Sequence, residues 1–142
     1  MSLSVPVHSF GRITKGWTYQ ELFDKADLVV VATVIATKDT EERTTLKDIT
    51  PAVAVIGVVT EFETRLVLKG CSGVTTFRLH HYRVASGDER MWVNGPALIR
   101  IAGSSEPFLL FLIKERNGMY APVSGQTDPA SLSVLTLGGT AE

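Results

Sequence analysis

The residues best equipped for chemistry crowd into FRLHHYR (77–83), where His80 and His81 stand side by side between Arg78 and Tyr82. Paired histidines invite a metal-binding or proton-transfer reading, because imidazole is a common metal ligand and the side chain that titrates nearest neutrality. In an extended chain, however, neighbouring side chains point to opposite faces, so these two imidazoles cannot close on one ion. A zinc site needs three or four ligands; the chain has neither His-x-His nor His-x-x-x-His spacing, and His8 is the only other histidine. No metal site is expected.

The same alternation sorts the stretch into two environments. Phe77, Leu79 and His81 fall on an apolar face, which implies a partly buried His81 held by a hydrogen bond. Arg78, His80 and Tyr82 fall on the other face, where a solvated strand surface is the plain reading and a cation-plus-aromatic binding face the sharper one. Met91 and Trp92, large side chains in the otherwise polar loop 86–96, are two further candidate binding residues.

Catalytic signatures are missing from the sequence. There is no G-x-S-x-G elbow, Walker motif or dinucleotide glycine pattern, so no catalytic residue and no cofactor is expected. Cys71 lies in the glycine-flanked turn KGCSG (69–73) and reads as incidental rather than as half of a thiol–imidazole pair. Glu61 and Glu63 share a strand face roughly 6–7 Å apart, as solvating charges beside Arg65.

Positioning these residues falls to a mainly β architecture. WTYQEL (17–22) carries a helix start: Thr18 as N-cap with Glu21 three residues on forms a capping box, and Trp17 with Leu22 fits a hydrophobic staple. Tyr19, Leu22, Phe23 and Ala26 then make one apolar face of a helix of about two turns. Residues 28–37 read as a strand covered on both faces, KDTEERTTLKDITP (38–51) as an exposed loop, and 53–69 as a long strand. Within that strand Val58, Thr60, Phe62, Thr64, Leu66 and Leu68 share the core face. GVTTFRLHHYRV is the next strand, LIRIA (98–102) a short candidate, and PFLLFLIKER followed by Asn117-Gly118 a hairpin with a tight two-residue turn. SLSVLTL (131–137) closes the sheet.

Together these elements predict a small closed or partly open antiparallel OB-like β-barrel with one short N-terminal α-helix, a β-sandwich being the alternative. The helix is the available cover for PFLLFLI, which is apolar on both faces. One domain over 18–137 follows, with an extension at 1–17 and a tail at 138–142; a chain of 142 residues of this class buries about two-thirds of its surface on folding. The longest apolar runs, 28–36 and 107–113, fall short of the roughly 20 residues a membrane-spanning helix needs. The N-terminus lacks the pattern of a secretory leader.

Three segments, ADLVVVATV (26–34), TRLVLKG (64–70) and FLLFL (108–112), resemble in order and spacing the bacterial netrin-like, tissue-inhibitor-of-metalloproteinase-like proteins. The resemblance implies an OB-type barrel and an extracytoplasmic, non-enzymatic role. The inhibitors of that group grip the protease metal through an N-terminal cysteine, and MSLSVPV has none, so no functional residue carries over. Ala32 stands where the group more usually has glycine.

A net charge of -1 argues against binding that relies on neutralising phosphates. The expected function is therefore a non-catalytic interaction module that engages a protein partner. The alternatives are single-stranded nucleic-acid or oligosaccharide binding on the barrel face and, third, an enzyme with an unrecognised site. Pairing of copies along an exposed strand edge is a further expectation.

Overall fold

A computed structural model describes residues 17–46, 52–85, 101, 106–126 and 133–137. The chain enters through α1 (Tyr19–Lys25), whose capping box forms as its sequence dictates: Glu21 N–H donates to Thr18 Oγ1 (3.0 Å) and Thr18 N–H donates to Glu21 Oε1 (2.9 Å). Six strands follow: β1 (Leu28–Leu46), β2 (Val53–Lys69), β3 (Thr76–Val84), β4 (Phe108–Lys114), β5 (Tyr120–Pro122) and β6 (Val134–Thr136).

The hydrogen-bonded order β1-β2-β3-β5-β4 returns to β1 through the pairing of Leu28–Ala32 with Phe108–Leu112. That return closes a five-stranded, OB-like barrel and rules out a sandwich. One seam is parallel rather than antiparallel: β3 and β5 meet at the single rung Leu79↔Tyr120. Closure thus comes from β1 with β4 and not from the C-terminal segment. β6 instead continues the β4 edge on which β5 leaves off, pairing at Phe108–Leu110 while β5 pairs at Leu112–Lys114.

Two cores result. Inside the barrel, Leu28, Val30 and Ala32 meet Phe62, Phe77, Leu79, Phe108, Leu110 and Leu112. Phe62 stacks on Phe77 (5.3 Å between centroids) and takes the edge of Phe108, and Phe77 in turn takes the edge of Tyr120. Outside, Leu22 of α1 and Ala26 at its C-cap cover Val29 and Phe111, with Trp17, Phe23 and Leu109 packed around them. The helix is the lid that an all-apolar β4 requires. Lys69 fastens it, donating to the last-turn carbonyls of Phe23 (2.6 Å) and Asp24 (3.0 Å).

Three local expectations are corrected. The polar segment from 38 onward is strand as far as Leu46, because β1 runs on beside β2, itself paired with β3, and Lys38↔Val59 through Leu46↔Val53 remain paired. None of the β1 side chains from 38 to 46 is buried, so the sequence there shows no apolar alternation. Residues 47–51 lie outside the described residues. The core face of β2 ends at Thr64: Ala32 faces Thr64, Val31 faces Leu66 and Val30 faces Val67, so Arg65 is an extra, bulged residue. The bulge turns Val67 inward and leaves Leu66 and Leu68 exposed, at 55% and 49%.

The third correction concerns the hairpin. Glu115 N–H donates to Met119 O and Gly118 N–H to Glu115 O, closing a three-residue loop at Arg116–Gly118, with Gly118 at φ 88° as its left-handed residue. LIRIA (98–102), apart from Ile101, lies outside the described residues.

Candidate functional site

β3 lays its alternate side chains inside and outside the barrel as the strand period requires. His81 is buried (5% exposed) with Phe77 and Leu79. Its Nε2 lies 2.8 Å from Thr60 Oγ1, and Thr60 Oγ1 lies 2.8 Å from Thr37 Oγ1. Nδ1 is buried and has no hydrogen-bond partner among the described residues. Burial, and after it the nearby charge of His80, push the His81 pKa down to about 4, so this imidazole is neutral in ordinary conditions.

Its neighbour lives in the opposite environment. His80 Nε2 sits 2.7 Å from Glu42 Oε1, while Nδ1 sits 3.0 and 3.1 Å from the two carboxylate oxygens of Glu115. Tyr82 donates its hydroxyl to the second oxygen of Glu42 (2.9 Å) and presents its ring to His80 at 4.9 Å. Burial works to lower the His80 pKa. Hydrogen bonds from Glu115 and Glu42, with their charges, more than offset that, and the net shift is upward. An imidazole with an acceptor at each nitrogen is fully satisfied only when it carries both protons. Tyr82 is pushed up to about 12, first by burial and then by its bond to Glu42.

Glu42 reaches this place by two devices. Asp39 pairs with Val58 and Arg43 with Ile56, so Thr40, Glu41 and Glu42 bulge opposite Gly57 alone. Gly57 then provides the passage: a Cβ there would lie 2.8 Å from Glu42 Cβ and 3.0 Å from its Cδ, and would collide with its carboxylate. Because β2 has no side chain at that point, a β1 carboxylate crosses it to β3. Thr40 Oγ1 donates to Gly57 O (2.9 Å) and steadies the bulge. Alongside, Arg83 grips Asp39 in a two-pronged pair at 2.9 and 2.6 Å, and the fork holds that carboxyl below its usual range.

Arg78, the third residue of the outward triplet, stands apart from this network. It lines a groove of about 390 Å³ between β3 and the β4–β5 hairpin, with Lys114 on the hairpin side and Phe77 and Tyr120 among the walls. Among the described residues neither Arg78 nor Lys114 has a side-chain ion pair or hydrogen bond. Glu61 stands on the rung opposite Arg78 without closing an ion pair. Structure thus separates the triplet: Arg78 faces an open groove, whereas His80 and Tyr82 are engaged by Glu42 and Glu115. Met91 and Trp92 lie outside the described residues.

As for metals, Glu42 and Glu115 approach opposite edges of the ring, and no group of three or more His, Cys, Asp or Glu among the described residues is arranged to hold an ion. Cys71 is exposed and free. No described helix is long and apolar enough to cross a membrane. Sequence reasoning missed Glu42, Lys114 and Glu115. The lone Gly57 in a long strand was the available signal, since glycine in a strand interior marks close approach of another group. No protein-family model, curated protein or solved structure matches the chain.

Proposed function

We propose that this chain is a non-catalytic interaction module whose barrel takes an acidic segment of a protein partner in the groove between β3 and the β4–β5 hairpin. The observation that carries the reading is one groove lined by two cations with no side-chain partner among the described residues, Arg78 and Lys114, together with the Phe77 and Tyr120 rings and a single carboxylate, Glu61. A guanidinium beside an ammonium favours carboxylate, which the guanidinium can take with both prongs.

The charges next to the groove favour a short acidic segment over a polynucleotide. Further along the same face of β3 come Glu42 and Glu115. A continuous polyanion leaving Arg78 in that direction meets carboxylates, whereas nucleic-acid binding requires a row of cations that tracks the backbone. An enzymatic reading has little support, because both nitrogens of His80 are occupied by carboxylates and His81 is sealed in the core. The resemblance to netrin-like and inhibitor-like barrels supports a partner-binding, extracytoplasmic role as part of the same proposal.

Fluorescence anisotropy of a labelled glutamate-rich peptide at low salt tests the reading, with an oligothymidylate of similar charge as comparator. The peptide binds in preference, and Arg78→Ala with Lys114→Ala weakens it by about tenfold or more, as loss of charge-assisted hydrogen bonds requires. Undiminished peptide binding by the double variant, or preference for the oligonucleotide, overturns it.

A further inference from the structure

We infer that the Glu42–His80–Glu115 bridge is a proton-operated clasp on the β4–β5 hairpin, and therefore a regulator of the groove that this hairpin walls. The inference rests on the proposed groove for its biological purpose. The clasp itself is read without any ligand.

Connectivity comes first. Glu115 follows Lys114 directly, and Gly118 and Tyr120 of the same hairpin line the groove; on β3, Arg78 of the groove and His80 of the clasp are successive outward residues. The β4 arm of the hairpin is fixed independently: it pairs with β1 over Leu28–Ala32, and Lys114 N–H donates to Asp27 Oδ2 (2.8 Å). On the other side β5 meets β3 at one rung, Tyr120 meets the Phe77 ring, and Gln126 donates to His80 O (2.8 Å). The Glu115 side chain therefore holds the loop end of the hairpin, where Gly118 lines the groove.

The charge surroundings of His80 come next. β1 presents Glu42, and the hairpin presents Glu115 with Lys114 beside it. β3 itself contributes Tyr82, the successive outward residue Arg78, and buried His81. β2 presents uncharged Gly57 and Val59, with Glu61 one outward position further, on the rung opposite Arg78. No other cation pairs with either carboxylate of the bridge among the described residues, so the two share the single positive charge of the protonated imidazole.

Loss of one proton has a directed consequence. Neutral imidazole has one N–H and one lone pair, and a lone pair facing a carboxylate oxygen near 3 Å is repulsive. Tyr82 fixes Glu42 through its second oxygen, which keeps the first aimed at Nε2. The remaining proton therefore stays on Nε2 and Glu115 faces the lone pair. Glu115, with no other side-chain donor among the described residues, swings into solvent, and the hairpin is released at its loop end. Acidification closes the groove wall and alkalinisation frees it.

The test uses the whole chain without ligand, then with it. Imidazole proton shifts followed by NMR report the His80 titration, and amide protection at Glu115 and Gly118, whose N–H groups bond within the hairpin, reports its release. Protection, corrected for intrinsic exchange, falls about three- to tenfold as His80 loses its proton. In Glu115→Gln that dependence disappears while the barrel rungs of β1 with β2 keep theirs. Affinity for the glutamate-rich peptide falls by a similar factor over the same pH range in the unaltered chain and is flat in Glu115→Gln.

Hairpin protection that ignores the state of His80, or that still follows it in Glu115→Gln, overturns the clasp. Peptide affinity that stays constant while protection falls overturns its control of the groove. A peptide that binds at no pH, with protection still following His80, removes the proposed function and leaves the clasp standing.

Discussion

At position 57 a single added methyl group tests how Glu42 reaches His80. Gly57→Ala places a Cβ where Glu42 now crosses, so the carboxylate has to leave, and a cost of about 1–3 kcal/mol is expected from the overpacking. All three nearest atoms belong to the Glu42 side chain, so the same substitution in a Glu42→Gly background costs less, a difference that chemical denaturation of the four proteins in a double-mutant cycle measures. The adjacent histidines give a second residue-scale expectation. His81, unfolded at about 6.5 and held at about 4 in the fold, binds fewer protons folded than unfolded between those values. Stability is therefore lost as pH falls through that window, by about 3 kcal/mol in all, and His81→Gln flattens this acid limb. His80 acts with the opposite sign, since its folded pKa is raised: its contribution is complete below about 6.5 and is lost as pH rises through the folded value.

Elements show which parts of this arrangement were legible in sequence. The capping box and the opposite faces of His80 and His81 follow from local spacing, because each depends on residues within a turn or two, and the helix as lid follows from PFLLFLI being apolar on both faces. The bulges do not. TRLVLKG places three apolar residues in a row, and nothing in that run tells which of Leu66, Val67 and Leu68 turns inward until β1 supplies the register. Likewise Glu42 sat in a polar stretch that only pairing with β2 makes a strand, and its partner His80 is 38 residues away. The bulge makes its own prediction: Leu66→Thr changes stability by less than about 0.5 kcal/mol, whereas Phe62→Ala, two rungs before the bulge and fully buried, costs about 3–5 kcal/mol. Thermal melts of the two variants decide it, and equal losses would contradict the register described. At the helix, Thr18→Ala removes the cap and costs about 1 kcal/mol, seen as a lowered melting temperature.

The whole molecule is a barrel whose outward chemistry divides into a filled site and an open one. Glu42, His80, Tyr82 and Glu115 satisfy one another across β1, β3 and the hairpin, and Arg78 with Lys114 remains available beside them. Both belong to the seam where β3 and β5 share only one rung, the place in a closed barrel where a proton can change geometry at least cost to the core. The proposal depends above all on the two neighbouring imidazoles having opposite electrostatic fates. An NMR pH titration of the ring protons of His80 and His81 in the intact chain measures this directly. Inflections on opposite sides of free imidazole, His80 above and His81 near 4, are the predicted result; a His80 inflection at or below that of free imidazole would contradict it.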